Sequence, residues 1–145
     1  MDYVQQGSAS ASLVAGGQRI GGSLAQGYFL EPTVFSHVDD TSGIASEEIF
    51  GPVLSVFKFE AEDEVIRRAN ATRFGLAAGV YTNRLDRAHR MAAKLRAGVV
   101  WINTYDWFDP AVPFGGTGMS GFGRELGTQV MDMYTELKSV WVKIE

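Results

Sequence analysis

Residues 53–103 read VLSVFKFEAEDEVIRRANATRFGLAAGVYTNRLDRAHRMAAKLRAGVVWIN and have the most regular apolar pattern in the chain. Three runs rich in β-branched, aromatic or small apolar residues alternate with two runs that have helical apolar spacing. The pattern predicts strands at 53–59, 76–82 and 99–103 and helices at 62–71 and 85–97, with Gly98 ending the second helix. Strands and helices in this order form a βαβαβ unit, so the sequence predicts an α/β fold with parallel, buried strands.

The residues before this unit carry weaker signals. Residues 1–27 are rich in Gly, Ser, Ala and Gln, which predicts a loop around one short strand at 13–15. Both a flexible leader and an ordered edge strand are compatible with that composition. Residues 28–35 are β-rich, but Pro32 removes a ladder donor and favours an edge or irregular strand.

The residues after the unit begin with an aromatic, glycine-rich loop at 104–123. Loops at the carboxyl ends of parallel strands are where α/β proteins place ligands. The loop aromatics could therefore wall an apolar tunnel, or they could pack in the core or at an oligomer contact. A short helix is predicted within 124–134, and an apolar strand at 136–144 that needs a pairing partner.

Composition and charge narrow the function classes. The chain has 145 residues, a net charge of -4 and no cysteine. The charge argues against nucleic acid or an anionic membrane as the main partner. No apolar run approaches the roughly 18 residues of a membrane span, and we expect no membrane association. Without cysteine, these residues supply no disulfide, thiolate metal ligand or thiol nucleophile.

Several familiar motifs are weak here. Residues 116–121 spell GxGxxG, but they follow no strand directly and open no predicted helix, as a dinucleotide fingerprint requires. Ser120 lacks the second glycine of a nucleophile elbow. The isolated His37 and His89 are poor candidates for metal ligands. A basic stripe on the second predicted helix is more typical of a solvated face than of a phosphate site.

The adjacent carboxylates Glu47 and Glu48 cannot face one substrate, because neighbouring side chains diverge in regular structure. One of them, lying beside an aromatic residue, could accept hydrogen bonds from two vicinal hydroxyl groups such as those of a ribose. Taken alone, the pair is more typical of an exposed acidic turn.

Six ordered motifs together resemble the C-terminal part of the NAD(P)-dependent aldehyde dehydrogenase superfamily. They are EEIFGPV (47–53), FGLAA (74–78), GVVWIN (98–103), PFGG (113–116), SGFGRELG (120–127) and YTE (134–136). The resemblance covers nearly the whole chain. It implies a partial catalytic domain at 1–135 and an oligomerisation strand at 136–145, with a homo-oligomer formed through 136–144 and Glu136 at the interface.

The resemblance also implies an activity, the oxidation of an aldehyde to a carboxylic acid with NAD or NADP, and roles for individual residues. Glu48 resembles the carboxylate that holds the nicotinamide-side ribose, and Phe50 the aromatic beside that half of the cofactor. Asp106, Phe108 and Phe114 match positions at the mouth of the substrate tunnel. Glu125 resembles a glutamate that is sometimes assigned to proton relay.

In this family the cysteine nucleophile, the general-base glutamate, the oxyanion asparagine and the Rossmann-type cofactor domain all lie upstream of the matching motifs. We therefore expect the isolated chain to be inactive, and a cytoplasmic location. The alternative from another class is a non-catalytic oligomerisation protein that uses its C-terminal strand by strand addition. A weaker third hypothesis is a nucleotide-binding remnant that uses Glu48 and Phe50.

Overall fold

Helices and strands alternate along residues 1–145 of the computed structural model, all of which the structure describes. The chain forms two compact units, Met1–Val65 and Ile66–Glu145. The helices are α1 (Asp2–Ser10), α2 (Gly43–Ser46), α3 (Glu62–Asn70), α4 (Leu85–Lys94) and α5 (Met131–Tyr134). The strands are β1 (Ser12–Ala15), β2 (Thr33–Ser36), β3 (Val53–Ser55), β4 (Ala77–Val80) and β5 (Val99–Ile102).

The first unit is built on a three-stranded sheet in the order β1-β2-β3. β1 runs antiparallel to β2, and β2 runs parallel to β3. Phe35 on β2 is fully buried and packs with Val4, Val38 and Ile44. A Cβ at Gly7 would lie 2.7 Å from the Phe35 ring. The glycine therefore lets α1 approach this core closely.

The first unit corrects three expectations. Residues 2–10 form a helix that their loop-like composition concealed, whereas the ordered edge strand predicted near 13–15 is confirmed as β1. β2 is the central strand of the sheet rather than an edge strand. Pro32 permits this because it lies just before β2, so its missing N–H removes no hydrogen bond from the sheet. The strand expected at 53–59 is shorter, and it pairs with β2 rather than with β4.

The second unit contains the parallel pair β4 and β5, with Ala77 opposite Val99 and Val80 opposite Ile102. The α/β class with parallel strands is thus confirmed, although β3 lies outside this pair. Ala88 and Met91 of α4 are buried, as the apolar spacing predicts. The Asn70 amide joins two helix ends, because it donates to the carbonyl of Lys94 and accepts from the amide of Arg96.

Gly98 has a different role from the predicted one. α4 ends at Lys94, three residues too early for Gly98 to follow it directly. A Cβ at Gly98 would collide with the carbonyl oxygen of Gly115. The residue is therefore glycine because two backbone segments approach each other there.

The C-terminal region is mostly irregular. Short 3-10 turns cover Gly118–Ser120 and Thr128–Val130, so the helix expected within 124–134 is reduced to the single turn of α5. Residues 136–144 pair with no strand of this chain, and the apolar side chains of this segment are exposed. None of the helices combines the length and the hydropathy needed to span a membrane.

Candidate functional site

An aromatic cluster follows β5 in the second unit. Trp101, on β5, is 8% exposed, and its ring centroid lies 4.9 Å from that of Tyr105. Phe108 meets Trp101 edge-on at 5.8 Å and an interplanar angle of 87°. Phe108 also meets Phe114 edge-on, at 5.1 Å and 79°. The structure thus brings together the two phenylalanines that the resemblance assigned to the tunnel.

Hydrogen bonds from Asn103, the residue just before this loop, hold its backbone at the start. Asn103 has a φ of 55°, and its amide Oδ1 accepts from the Thr82 N–H at 2.8 Å while its Nδ2 donates to the Thr82 carbonyl at 2.9 Å. Asp106, with a φ of 58°, turns the loop a second time and is exposed. Asparagine and aspartate tolerate this left-handed conformation better than most residues.

The far end of the loop is closed by a backbone bridge. Phe114 and Glu125 exchange two N–H to carbonyl hydrogen bonds of 2.7 Å each. The Arg124 guanidinium donates to the carbonyls of Gly116 and Gly123. Both Phe114 and Glu125 border a cavity of about 490 Å³. The Glu125 side chain is exposed, so its carboxylate is accessible to solvent.

Ser120 serves the structure rather than nucleophilic chemistry. Its Oγ accepts a hydrogen bond from the Gly75 N–H at 3.1 Å, within a short 3-10 turn. The GxGxxG run that contains it neither follows a strand nor opens a long helix, which agrees with the interpretation as a chance match.

Glu48 and Phe50 lie in the first unit, in the bend before β3. Glu47 accepts a hydrogen bond from the Tyr3 hydroxyl at 2.7 Å, whereas Glu48 is exposed and no protein donor contacts its carboxylate. Phe50 has a φ of 51°, is 92% exposed and borders a cleft of about 350 Å³. An accessible carboxylate and an exposed ring two residues apart are chemically suited to a ribose diol and a flat apolar group.

Two carboxylates outside these positions, Asp86 and Asp39, have local hydrogen-bond partners. The pKa of the Asp86 carboxyl lies well below its ordinary value, because Arg84 and then Arg90 donate to it, and both ion pairs are exposed. The pKa of Asp39 is also lowered, by hydrogen bonds from the side chain and backbone of Thr41. The basic stripe on α4 is thus a solvated, ion-paired face. No group of three or more potential metal ligands comes together.

Sequence reasoning missed three sets of hydrogen bonds. They are those of the Asn103 side chain to the Thr82 backbone, of the Trp101 indole N–H to the Trp107 carbonyl, and of the Arg124 guanidinium to the carbonyls of Gly116 and Gly123. Trp101 is a buried residue of β5, and its Nε1–H donates to the Trp107 carbonyl at 2.8 Å. Of these residues, only Asn103 could have been predicted from the sequence. An asparagine directly after a strand is typical of a residue that adopts a positive φ.

The fold is that of an α/β protein with a cluster of aromatic side chains on the loop that follows the parallel strands β4 and β5. The model of the aldehyde dehydrogenase family matches residues 1–140. Betaine aldehyde dehydrogenase of Rhizobium johnstonii is 50% identical over 143 residues, which cover 98% of this chain and 29% of that protein. Aldehyde dehydrogenase family 2 member B4, mitochondrial, of Arabidopsis thaliana is 52% identical, over 97% of this chain and 26% of that protein.

Solved structures give the same answer. The NAD+ complex of aldehyde dehydrogenase from Bacillus cereus superposes with a TM-score of 0.89 at 49% identity, over 99% of this chain and 29% of that one. An indole-3-acetaldehyde dehydrogenase with NAD+ gives 0.91 at 49% identity and the same coverage. The chain belongs to the aldehyde dehydrogenase family. It spans less than a third of the length of these relatives.

Proposed function

We propose that residues 1–135 are the C-terminal part of an aldehyde dehydrogenase catalytic domain and that 136–145 form its oligomerisation strand. The proposed reaction is the oxidation of an aldehyde to a carboxylic acid with NAD or NADP. The observation that carries the proposal is the paired edge-on rings of Phe108 and Phe114 on a loop after parallel strands. This arrangement, in a chain of this family, suits the mouth of an aldehyde tunnel.

The cofactor part of the proposal rests on Glu48 and Phe50. The free carboxylate of Glu48 would accept hydrogen bonds from both hydroxyls of the nicotinamide-side ribose, and the Phe50 ring would flank that half of the cofactor. The bound nicotinamide supplies the hydride acceptor of the reaction. The positive φ of Phe50 sets the direction in which its Cα–Cβ bond leaves the backbone.

The substrate part rests on the loop of the second unit. Phe108 and Phe114 would exclude water from the path of the aldehyde, and Asp106 would lie at its mouth. We propose that Glu125, whose carboxylate is exposed beside the cavity that Phe114 also borders, relays protons to solvent. The nucleophile has to be a thiolate that the 145 residues do not contain, so the chain alone should not oxidise aldehydes.

A segment exchange tests the proposal. Residues 1–145 replace the matching segment of the Bacillus cereus enzyme, and NAD+ reduction is followed at 340 nm, the absorbance of NADH. We expect activity with aldehydes. Glu48→Gln in the exchanged protein should raise the KM for NAD+ by about 10-fold, since charge-assisted hydrogen bonds contribute about 1.5–3 kcal/mol and the neutral bonds that glutamine still accepts contribute about 0.5–1.5 kcal/mol. Glu47→Gln is the matched control and should leave that KM unchanged, because Glu47 contacts Tyr3.

The same exchange with the Rhizobium betaine aldehyde dehydrogenase segment controls for tolerance of the graft. An inactive chimera of this chain beside an active control would contradict the proposed function. Equal effects of the Glu48 and Glu47 substitutions would contradict the cofactor assignment alone.

A second candidate function rests on the exposed apolar segment 136–144, which pairs with nothing in the monomer. We propose that it adds to a strand of another copy and makes a homo-oligomer, with Glu136 at the contact. Light scattering after size exclusion should give a multiple of the chain mass, and deletion of 136–145 should give a monomer. A monomer in both cases would rule out this assembly. We also propose a cytoplasmic location, which cell fractionation tests.

A further inference from the structure

Trp101 contacts three residues at the start of the aromatic loop, Tyr105, Trp107 and Phe108. Its indole N–H donates to the Trp107 carbonyl, its ring contacts Tyr105, and its edge-on contact with Phe108 continues to Phe114. Because Trp101 is 8% exposed whereas Phe108 is 48% exposed, the rigid member of the cluster is the one on the strand.

The neighbouring strand makes room for this arrangement. Gly79 of β4 lies opposite Trp101 in the sheet. A Cβ at Gly79 would lie 2.7 Å from the Tyr105 ring. The loop therefore folds down onto the sheet where β4 has no side chain, and Tyr105 packs beside the indole.

We propose that Trp101 is a positioning residue for aldehyde binding, which acts by holding Phe108 against Phe114. The inference rests on the proposed function, since it takes those two rings as the tunnel wall. Trp101 itself is buried, contacts Phe108 and acts through it. The hydrogen bond from the Trp101 indole N–H to the Trp107 carbonyl holds the loop backbone close to β5. The two edge-on contacts set the angles between the rings of Trp101, Phe108 and Phe114.

The sharpest test replaces Trp101 with 3-benzothienylalanine, which keeps the bicyclic ring but exchanges the N–H for sulfur. In the segment-exchanged enzyme we expect the KM for a bulky apolar aldehyde to rise about 2- to 10-fold, the range for one lost hydrogen bond. The kcat and the KM for acetaldehyde should stay unchanged. Trp101→Phe should show the same selectivity with a larger rise. Trp107→Phe is the matched control, because its side chain is exposed and its carbonyl is retained.

A merely structural role would lower kcat for all aldehydes together and leave each KM unchanged, and that result would overturn the inference. Phe108→Ala separates the two levels of the argument. If it raises the KM for the bulky aldehyde and the Trp101 variants do not, the positioning role is wrong and the tunnel stands. If none of these variants changes that KM, the tunnel assignment fails as well.

Nuclear magnetic resonance of the 145-residue chain gives a second measurement that needs no activity. One of the three tryptophan indole N–H groups should exchange slowly with solvent. Cross-relaxation between the ring protons of Phe108 and Phe114 should weaken when Trp101 is replaced and persist in Trp107→Phe. Unchanged cross-relaxation in the Trp101 variants would refute the positioning role directly.

Discussion

Replacing Asn103 should show how much the start of the aromatic loop depends on one side chain. Its amide makes two hydrogen bonds to the Thr82 backbone, at 2.8 and 2.9 Å, and both are exposed. Exposed bonds lie at the low end of the range, so the pair contributes about 1 kcal/mol together. The positive φ of 55° adds about 1 kcal/mol for a residue with an ordinary Cβ. We therefore expect Asn103→Ala to lower the free energy of unfolding by about 2 kcal/mol.

Asn103→Gly separates the two contributions. Glycine also loses the amide bonds but adopts a positive φ freely, so its loss should be about 1 kcal/mol. Urea unfolding followed by tryptophan fluorescence is the appropriate assay. All three tryptophans lie in the second unit, namely Trp101, Trp107 and Trp141. The fluorescence therefore reports on the unit that contains the hydrogen bonds between Asn103 and Thr82. The urea dependence should keep its slope while the midpoint falls.

The reasoning fails if alanine and glycine give the same midpoint, because the backbone cost would then be absent. It also fails if glycine matches the wild type, because the two hydrogen bonds would then contribute nothing.

Three further predictions address other parts of the chain. Gly98→Ala should destabilise the second unit by about 3 kcal/mol, since the new methyl group meets the Gly115 backbone; Gly21→Ala, with open space around it, should change the urea midpoint little. Asp86→Asn should cost stability above about pH 4, and the difference from wild type should shrink as the pH falls through the lowered pKa of the folded state, as urea midpoints at several pH values would show. The purified chain should reduce no NAD+ with common aldehydes, and measurable NADH formation would contradict the missing-thiolate argument.

The sequence predicted the helices and the parallel strands of residues 62–103 because apolar periodicity is strong there. The buried Ile66, Ala88 and Met91 occupy the positions that the spacing indicates. The pairing of the strands could not be predicted in the same way, because periodicity shows which residues are apolar but not which strand lies beside them. The three-residue β3 shows this, because its pairing with β2 is a tertiary choice.

Composition was misleading where local propensity and tertiary packing disagree. α1 is rich in residues that favour loops, yet it packs through Val4 and Gly7 beside the buried Phe35. Gly98 looked like a helix stop, whereas a contact distant in the sequence requires it. Neither fact is encoded locally, and tertiary context routinely overrides local propensity in this way.

Phe50 and the aromatic loop give two different physical arguments for a ligand. A large ring left 92% exposed, as Phe50 is, gains little from burial, and its positive φ adds a cost that the fold has to offset elsewhere. The tunnel candidates differ from Phe50, because the buried Trp101 on β5 contacts Phe108, which in turn contacts Phe114. The sequence left a tunnel wall, core packing and an oligomer contact as alternatives for the loop aromatics. The Trp101 ring belongs to the core, Phe114 is half-buried, and Tyr105 and Phe108 are exposed, so one cluster can both pack the loop against the strand and leave apolar surface for a ligand.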